Sequence, residues 1–319
     1  MAQSSAHLVD PELKPGLERM PAIQLTRDAV VATRAGFAAM IAQAPVRDDL
    51  PVQRSELTLS GAVGAPPVRV LLYRPVGAGS RRPALLQIHG GGYIFGAPEM
   101  NDLSNRLLVA ELGCVVCSVD YRLAPEYPYP AALEDCFVAL RWLVAEAPSL
   151  GIDPWRIGVL GESAGGGLAA ALTLLTRERN GPAIAFQHLV YPMIDDRTCV
   201  EPDPHPYTGE FVWTPEHNRF GWASYLGEAP GGLDVPVTAA AARATDLAGL
   251  PPAFISVGAL DLFLEEDMEF GRRLTRAGVA VELHVYPGAY HGFYVAAEAR
   301  TSLAALRDGR EALRRAMLD

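Results

Sequence analysis

The chain has 319 residues, about half hydrophobic and a fifth charged, which is enough for a sizeable core in one large globular domain or two small ones. A formal net charge of -10 and the lack of any clustered Lys/Arg run exclude a nucleic-acid surface, because phosphate binding needs concentrated positive charge. The opening residues mix acids, bases and prolines without an apolar run, and no later stretch is long enough to span a bilayer, so a cytoplasmic protein without membrane insertion is expected.

Residues 26–43, TRDAVVATRAGFAAMIAQ, repeat apolar positions at helical spacing after a threonine cap and stop before Pro45, which predicts an amphipathic N-terminal helix. SELTLSG and VRVLLYRP follow as alternating runs around a Gly and Pro turn and read as antiparallel strands at a sheet edge. ALLQIH, CVVCSVD, RIGVL, AFISVG and VELHVYP are then short apolar runs, most of them separated by helical stretches such as NDLSNRLLVAELG and PAALEDCFVALRWLVAEA. Strand alternating with helix predicts an α/β fold: a mostly parallel central sheet with helices on both faces. Cys114 and Cys117 form a CxxC inside one of these strands. Residues three apart in a strand point to opposite faces, so neither a disulfide nor a metal site is expected, and no zinc spacing joins the cysteines to the histidines.

Residues 195–230 break this rhythm and are rich in aromatics, including Phe211, Trp213 and Trp222, which are candidate substrate contacts in a cap over a pocket. Thr214 followed by Pro215 reads as a helix start. The expected organisation is a single domain, with a cap from 1–45 and 195–230 and a catalytic core from 46–194 and 231–319.

Open parallel sheets carry their reactive groups in loops at the carboxyl ends of the strands. After RIGVL comes GESAG, in which glycines two residues either side of Ser163 relieve a tight strand-turn-helix, and the alanine-rich helix that follows offers its N-terminus to a developing oxyanion. After ALLQIH comes HGGG. Gly91 and Gly92, with the N–H of Ala164, are the expected oxyanion donors. A serine hydroxyl needs a base and the base needs an orienting acid. His291 in YPGAYHGF is the expected base; His188 and His284 fall inside strands, His89 supports the glycine loop, and His205 and His217 fall in the cap. Asp261, after AFISVG, is the expected acid. Glu265, Glu266 and Asp267 are its rivals, and a place in a first helical turn would explain them by the helix dipole. The order Ser163, Asp261, His291 is that of α/β-hydrolases.

Taken together, HGGGYIFG, DYRLAPEYPYPAALED, GESAGGG, YPMIDDR and YPGAYHGF resemble the hormone-sensitive-lipase-like family of microbial esterases over residues 84–294. The resemblance implies an α/β-hydrolase fold with a helical cap, hydrolysis of short to medium acyl esters through an acyl-enzyme without metal or cofactor, and a homodimer. The chain departs from the family's pattern in two places: Glu162 stands where aspartate is common before the serine, and DLFLEE lacks the proline of the usual acid loop. In DYRLAPEYPYPAALED, Asp120, Arg122 and Glu126 are expected to support loops. An acyltransferase using the same acyl-enzyme, or a non-catalytic small-molecule receptor on this fold, are the alternatives the sequence leaves open.

Overall fold

The computed structural model describes residues 4–20, 25–43, 47–77 and 79–318. Its centre is one sheet built from β1 (Val52–Leu59), β2 (Val68–Pro75), β3 (Arg82–Ile88), β4 (Val115–Asp120), β5 (Ile152–Glu162), β6 (Gln187–Val190), β7 (Ala253–Gly258) and β8 (Val281–Tyr286). The spatial order is β1-β2-β4-β3-β5-β6-β7-β8, with β1 and β2 antiparallel and everything from β4 to β8 parallel. The inner strands are near-continuous apolar runs because both of their faces are covered. Leu85 and Leu160 point to one side and pack with Leu108, Leu112 and Leu313. Leu86 and Val159, one residue out of phase, join Leu140, Leu172 and Phe270 on the other side.

The first of these layers is α3 (Asp102–Leu112) and α9 (Arg300–Leu318); the second is α4 (Ala131–Ala145), α6 (Ala164–Glu178) and α8 (Leu264–Arg276), with the short α5 (Ala147–Leu150) leading into β5. Gly113 ends α3 in the left-handed conformation at φ 65°. Cys114 and Cys117 are free and belong to opposite packing layers, as the strand period requires.

Two N-terminal helices, α1 (Lys14–Arg19) and α2 (Val30–Ala42), lie outside this core. The expected helix over 26–43 starts four residues late: Thr26 Oγ1 accepts from the Ala29 N–H at 3.2 Å in the turn before α2. Pro45, its expected stop, lies outside the described residues. The expected amphipathicity is also narrower than the sequence suggests, because Ala, Val and Met ring the whole helix. Only Val30, Thr33, Arg34, Phe37 and Ile41 are covered, while Val31 and Met40 remain 71% and 50% exposed.

Between β6 and β7 the chain forms α7 (Pro215–Leu226), started by Thr214 as expected: its side chain accepts from His217 N at 3.3 Å and Pro215 takes the first helical position. This segment is fixed to the core by Asp196, whose buried carboxylate takes two bonds from Arg243, at 2.5 and 2.9 Å, and one from Gly231 N at 2.6 Å.

Candidate active site

At the end of β5 the chain turns through Ser163 at φ 55°, ψ -122°, a region that a residue with a side chain rarely enters. Three backbone bonds hold it there: Ser163 N donates to Val190 O at 2.9 Å, and Ser163 O accepts from Gly167 N and Met193 N, both at 3.0 Å. The flanking glycines are required by contact. A Cβ on Gly161 would lie 2.1 Å from Gly165 O, and one on Gly165 would lie 2.1 Å from Ile88 O.

His291 comes from the loop after β8 and Asp261 from the loop after β7. His291 Nε2 is 3.0 Å from Ser163 Oγ, and its Nδ1 is 2.8 Å from Asp261 Oδ2. With Nδ1 protonated toward the carboxylate, Nε2 is left to accept the serine proton. All three side chains are buried, Asp261 completely. The missing proline of the acid loop is replaced by an Asx turn, in which Asp261 Oδ1 accepts from Phe263 N at 3.0 Å.

HGGG follows β3 and lies beside the corner. Gly91 and Gly92 have φ of 121° and 58°, open to glycine and strained for other residues, and Gly91 O accepts from both Ile94 N and Phe95 N at 3.0 Å. The N–H groups of Gly91 and Gly92, and that of Ala164 at the start of α6, make no hydrogen bond to any described residue. His89 supports this loop from beneath: its Nδ1 is 2.8 Å from Gly90 O, its ring stacks on Tyr121 at 4.2 Å, and burial lowers its pKa to about 4, so it stays neutral.

The aromatic candidates separate. Trp213 packs onto Gly92, its ring centroid 6.3 Å from that of His291. Phe211 meets Tyr290 edge-on at 6.3 Å, one residue before the histidine. Trp222, expected at the substrate, is instead a core residue: it has no exposed surface and packs on Tyr93 from the loop after β3 and on Tyr225 of its own helix, because the inner face of α7 needs large side chains to fill its seat.

The acidic rivals open α8 in its first turn, as expected. Glu265 is exposed there, whereas Glu266 and Asp267 are buried. Glu266 accepts from Ile194 N at 2.7 Å, Asp195 N at 3.2 Å and the Thr198 hydroxyl, and so anchors the loop after β6. Arg122 clamps Asp135 through its backbone N–H at 2.9 Å and its guanidinium at 2.8 Å, Asp120 pairs with Arg69, and Glu126 receives Arg34 of α2.

Two neighbours of His291 escaped the sequence reading. Tyr191 and Phe263 flank its ring at 4.7 and 5.2 Å. Tyr191 is the first residue after β6, so its place at a strand's carboxyl end was the signal that marked it. Among the described residues no three His, Cys, Asp or Glu side chains cluster as a metal site would need.

A family profile described as the alpha/beta hydrolase fold matches residues 85–295. Carboxylesterase NlhH of Mycobacterium tuberculosis is 35% identical over 291 residues, 89% of this chain and 88% of the relative. Esterase LipI of the same organism is 34% identical over 290 residues, with the same coverage of 89% and 88%. Among solved structures, one named Bacterial Heroin Esterase superposes with a TM-score of 0.90 at 37% identity, covering 98% of this chain and 99% of that one. The chain therefore belongs to the alpha/beta hydrolase fold family, in its branch of carboxylic-ester hydrolases.

Proposed function

We propose that this ester hydrolase acts through Ser163 as nucleophile, His291 as general base and Asp261 as orienting acid. The observation that carries the reading is the hydrogen-bonded line from Asp261 through His291 to Ser163, at 2.8 and 3.0 Å, on a strained turn beside unpaired backbone donors. His291 Nε2 takes the serine proton as Oγ attacks the ester carbonyl. The N–H groups of Gly91, Gly92 and Ala164 receive the oxyanion, and His291 returns the proton to the departing alcohol. Water then follows the same path to release the acid and free serine.

The substrate class we assign is a neutral ester with a short to medium acyl group and an alkyl or aryl alcohol. Trp213 against Gly92 and Tyr191 against His291 support it, since both wall the reaction centre with apolar surface. A homodimer is part of the same reading, supported by β8 at the open sheet edge with Leu283 and Val285 36% and 40% exposed.

The test is hydrolysis of p-nitrophenyl acetate by wild type and by Ser163→Ala, with circular dichroism on both. The variant should keep its fold and lose about five orders of magnitude in kcat, as removal of a triad nucleophile does. Turnover that survives the substitution would refute the assignment of the nucleophile.

A further inference from the structure

We propose that a cavity behind the serine corner, walled by α3, α9 and β5 to β7, is a binding site for a small aliphatic alcohol, distinct from the site of ester cleavage. It measures about 430 Å³, within the range of small-molecule sites. Glu162 and Gly292, the chain neighbours of Ser163 and His291, line it, but Ser163 and His291 do not. Tyr191 is the partition: it faces the cavity and lies 4.7 Å, centroid to centroid, from the His291 ring.

The chemistry of the walls selects the ligand. Leu108, Leu160, Phe254, Leu306 and Leu313 make most of the surface apolar. At the end near the serine corner stands Asn101, 7% exposed, whose Nδ2 donates to Glu162 Oε1 at 3.2 Å while its Oδ1 has no partner. Turning the amide over exchanges the two atoms and still leaves one unpaired. His188, 4% exposed and stacked on Phe254 at 4.4 Å, lines the same cavity, and its buried Nδ1 also lacks a partner. Buried polar atoms without partners are rare and costly, and a hydroxyl satisfies either kind because it both donates and accepts.

A charged ligand fits worse. Burial raises the pKa of the Glu162 carboxyl, which shows that this end of the cavity disfavours negative charge. Arg310, at the wall formed by α9, already pairs with Glu111 at 3.2 Å. A neutral alkyl chain ending in one hydroxyl matches apolar walls and a polar end.

The proposal rests on the cavity and not on the hydrolytic reading, so binding is measured on Ser163→Ala, which cannot turn over. Calorimetric titration with n-hexanol should give saturable binding at a single site. Adding Ala305→Phe, which fills the cavity from α9, should abolish it, and adding Asn101→Leu should weaken it by about tenfold, the scale of one lost buried hydrogen bond. Leu306→Trp, at a half-exposed position on the same wall, serves as the blocking variant if Ala305→Phe does not fold. Absence of saturable binding, or binding that survives a folded blocking variant, would overturn the site. Hexanoate binding as tightly as n-hexanol would overturn the choice of a neutral hydroxyl.

Discussion

At the scale of single residues, burial in this fold fixes one protonation state or one conformation. His188 shows this most plainly. Its ring is buried against Phe254, and burial lowers its pKa from 6.5 to about 3. A lowered folded pKa means that the unfolded chain binds the proton more tightly. The stability contributed by neutral His188 is therefore fully present above about pH 6.5 and is lost as pH falls toward about 3. At about pH 5 the loss amounts to about 2 kcal/mol. Replacing His188 with Phe keeps the stack and removes the titration. The fall in Tm between neutral and mildly acidic buffer should thus be smaller in His188→Phe than in wild type, and equal falls would show that the acid sensitivity lies elsewhere. Trp213 makes the corresponding case for specificity. Its ring lies where a Cβ on Gly92 would approach Cη2 to 2.2 Å, so it forms a wall at the proposed oxyanion donors. Trp213→Ala should move the preferred p-nitrophenyl ester from acetate or butyrate toward hexanoate or octanoate, read as kcat/KM across the series. An unchanged order would place the acyl wall elsewhere.

At the scale of elements, α2 is held by few contacts, and these are concentrated in one side chain. Arg34 donates to Ile94 O and Ala124 O, both at 2.7 Å, and to the two oxygens of Glu126 at 2.8 and 2.7 Å. Phe37 stacks on Phe95 at 4.4 Å nearby. Most of the remaining helix surface faces outward, so its order depends on these two anchors. Arg34→Ala should cost about 1 to 2 kcal/mol in global stability. Its larger effect should be local: faster hydrogen exchange across residues 30–42, with KM raised and kcat retained because the triad lies on other elements. If exchange in α2 is unchanged, packing alone holds the helix. The element also shows why such anchoring was hidden in the sequence. Periodicity revealed a helix here, but a single arginine among alanines carries no mark of its partners about 60 and 90 residues away. Aromatic enrichment across 195–230 misled for a related reason, because composition does not reveal direction: Trp213, just before α7, packs near His291 and Trp222, within it, faces the core.

At the scale of the whole molecule, the parallel sheet and the residues at its strand ends were legible because two periodicities and one strained turn leave local marks. Alternation of short apolar runs with helical stretches marks the layers, and G-x-S-x-G marks a turn where two glycines are needed for contact reasons. What joins the segment after β6 to the rest left no such mark. Asp196 is fully buried, and its partner Arg243 is 11% exposed and 47 residues further along the chain, beyond α7. A carboxylate without exposed surface is tolerated only while its partners remain, so the pair makes the fit of the 195–230 segment all-or-none. Asp196→Ala should destabilise the protein by about 3 to 5 kcal/mol, because it leaves the Arg243 guanidinium nearly buried without a counter-charge. Replacing both, as Asp196→Ala with Arg243→Met, should recover much of that loss, since no charge then remains unpaired. Urea unfolding followed by both far-ultraviolet circular dichroism and tryptophan fluorescence, in a background with Trp142 and Trp155 replaced by Phe, distinguishes two outcomes, as Trp213 and Trp222 then report on this segment while the helices report on the core. Coincident transitions in wild type that separate in Asp196→Ala would mean that the pair couples the segment to the sheet. Coincident transitions in both, at unchanged midpoint, would mean that α7 is held instead by its own Trp222 and Tyr225 packed on Tyr93.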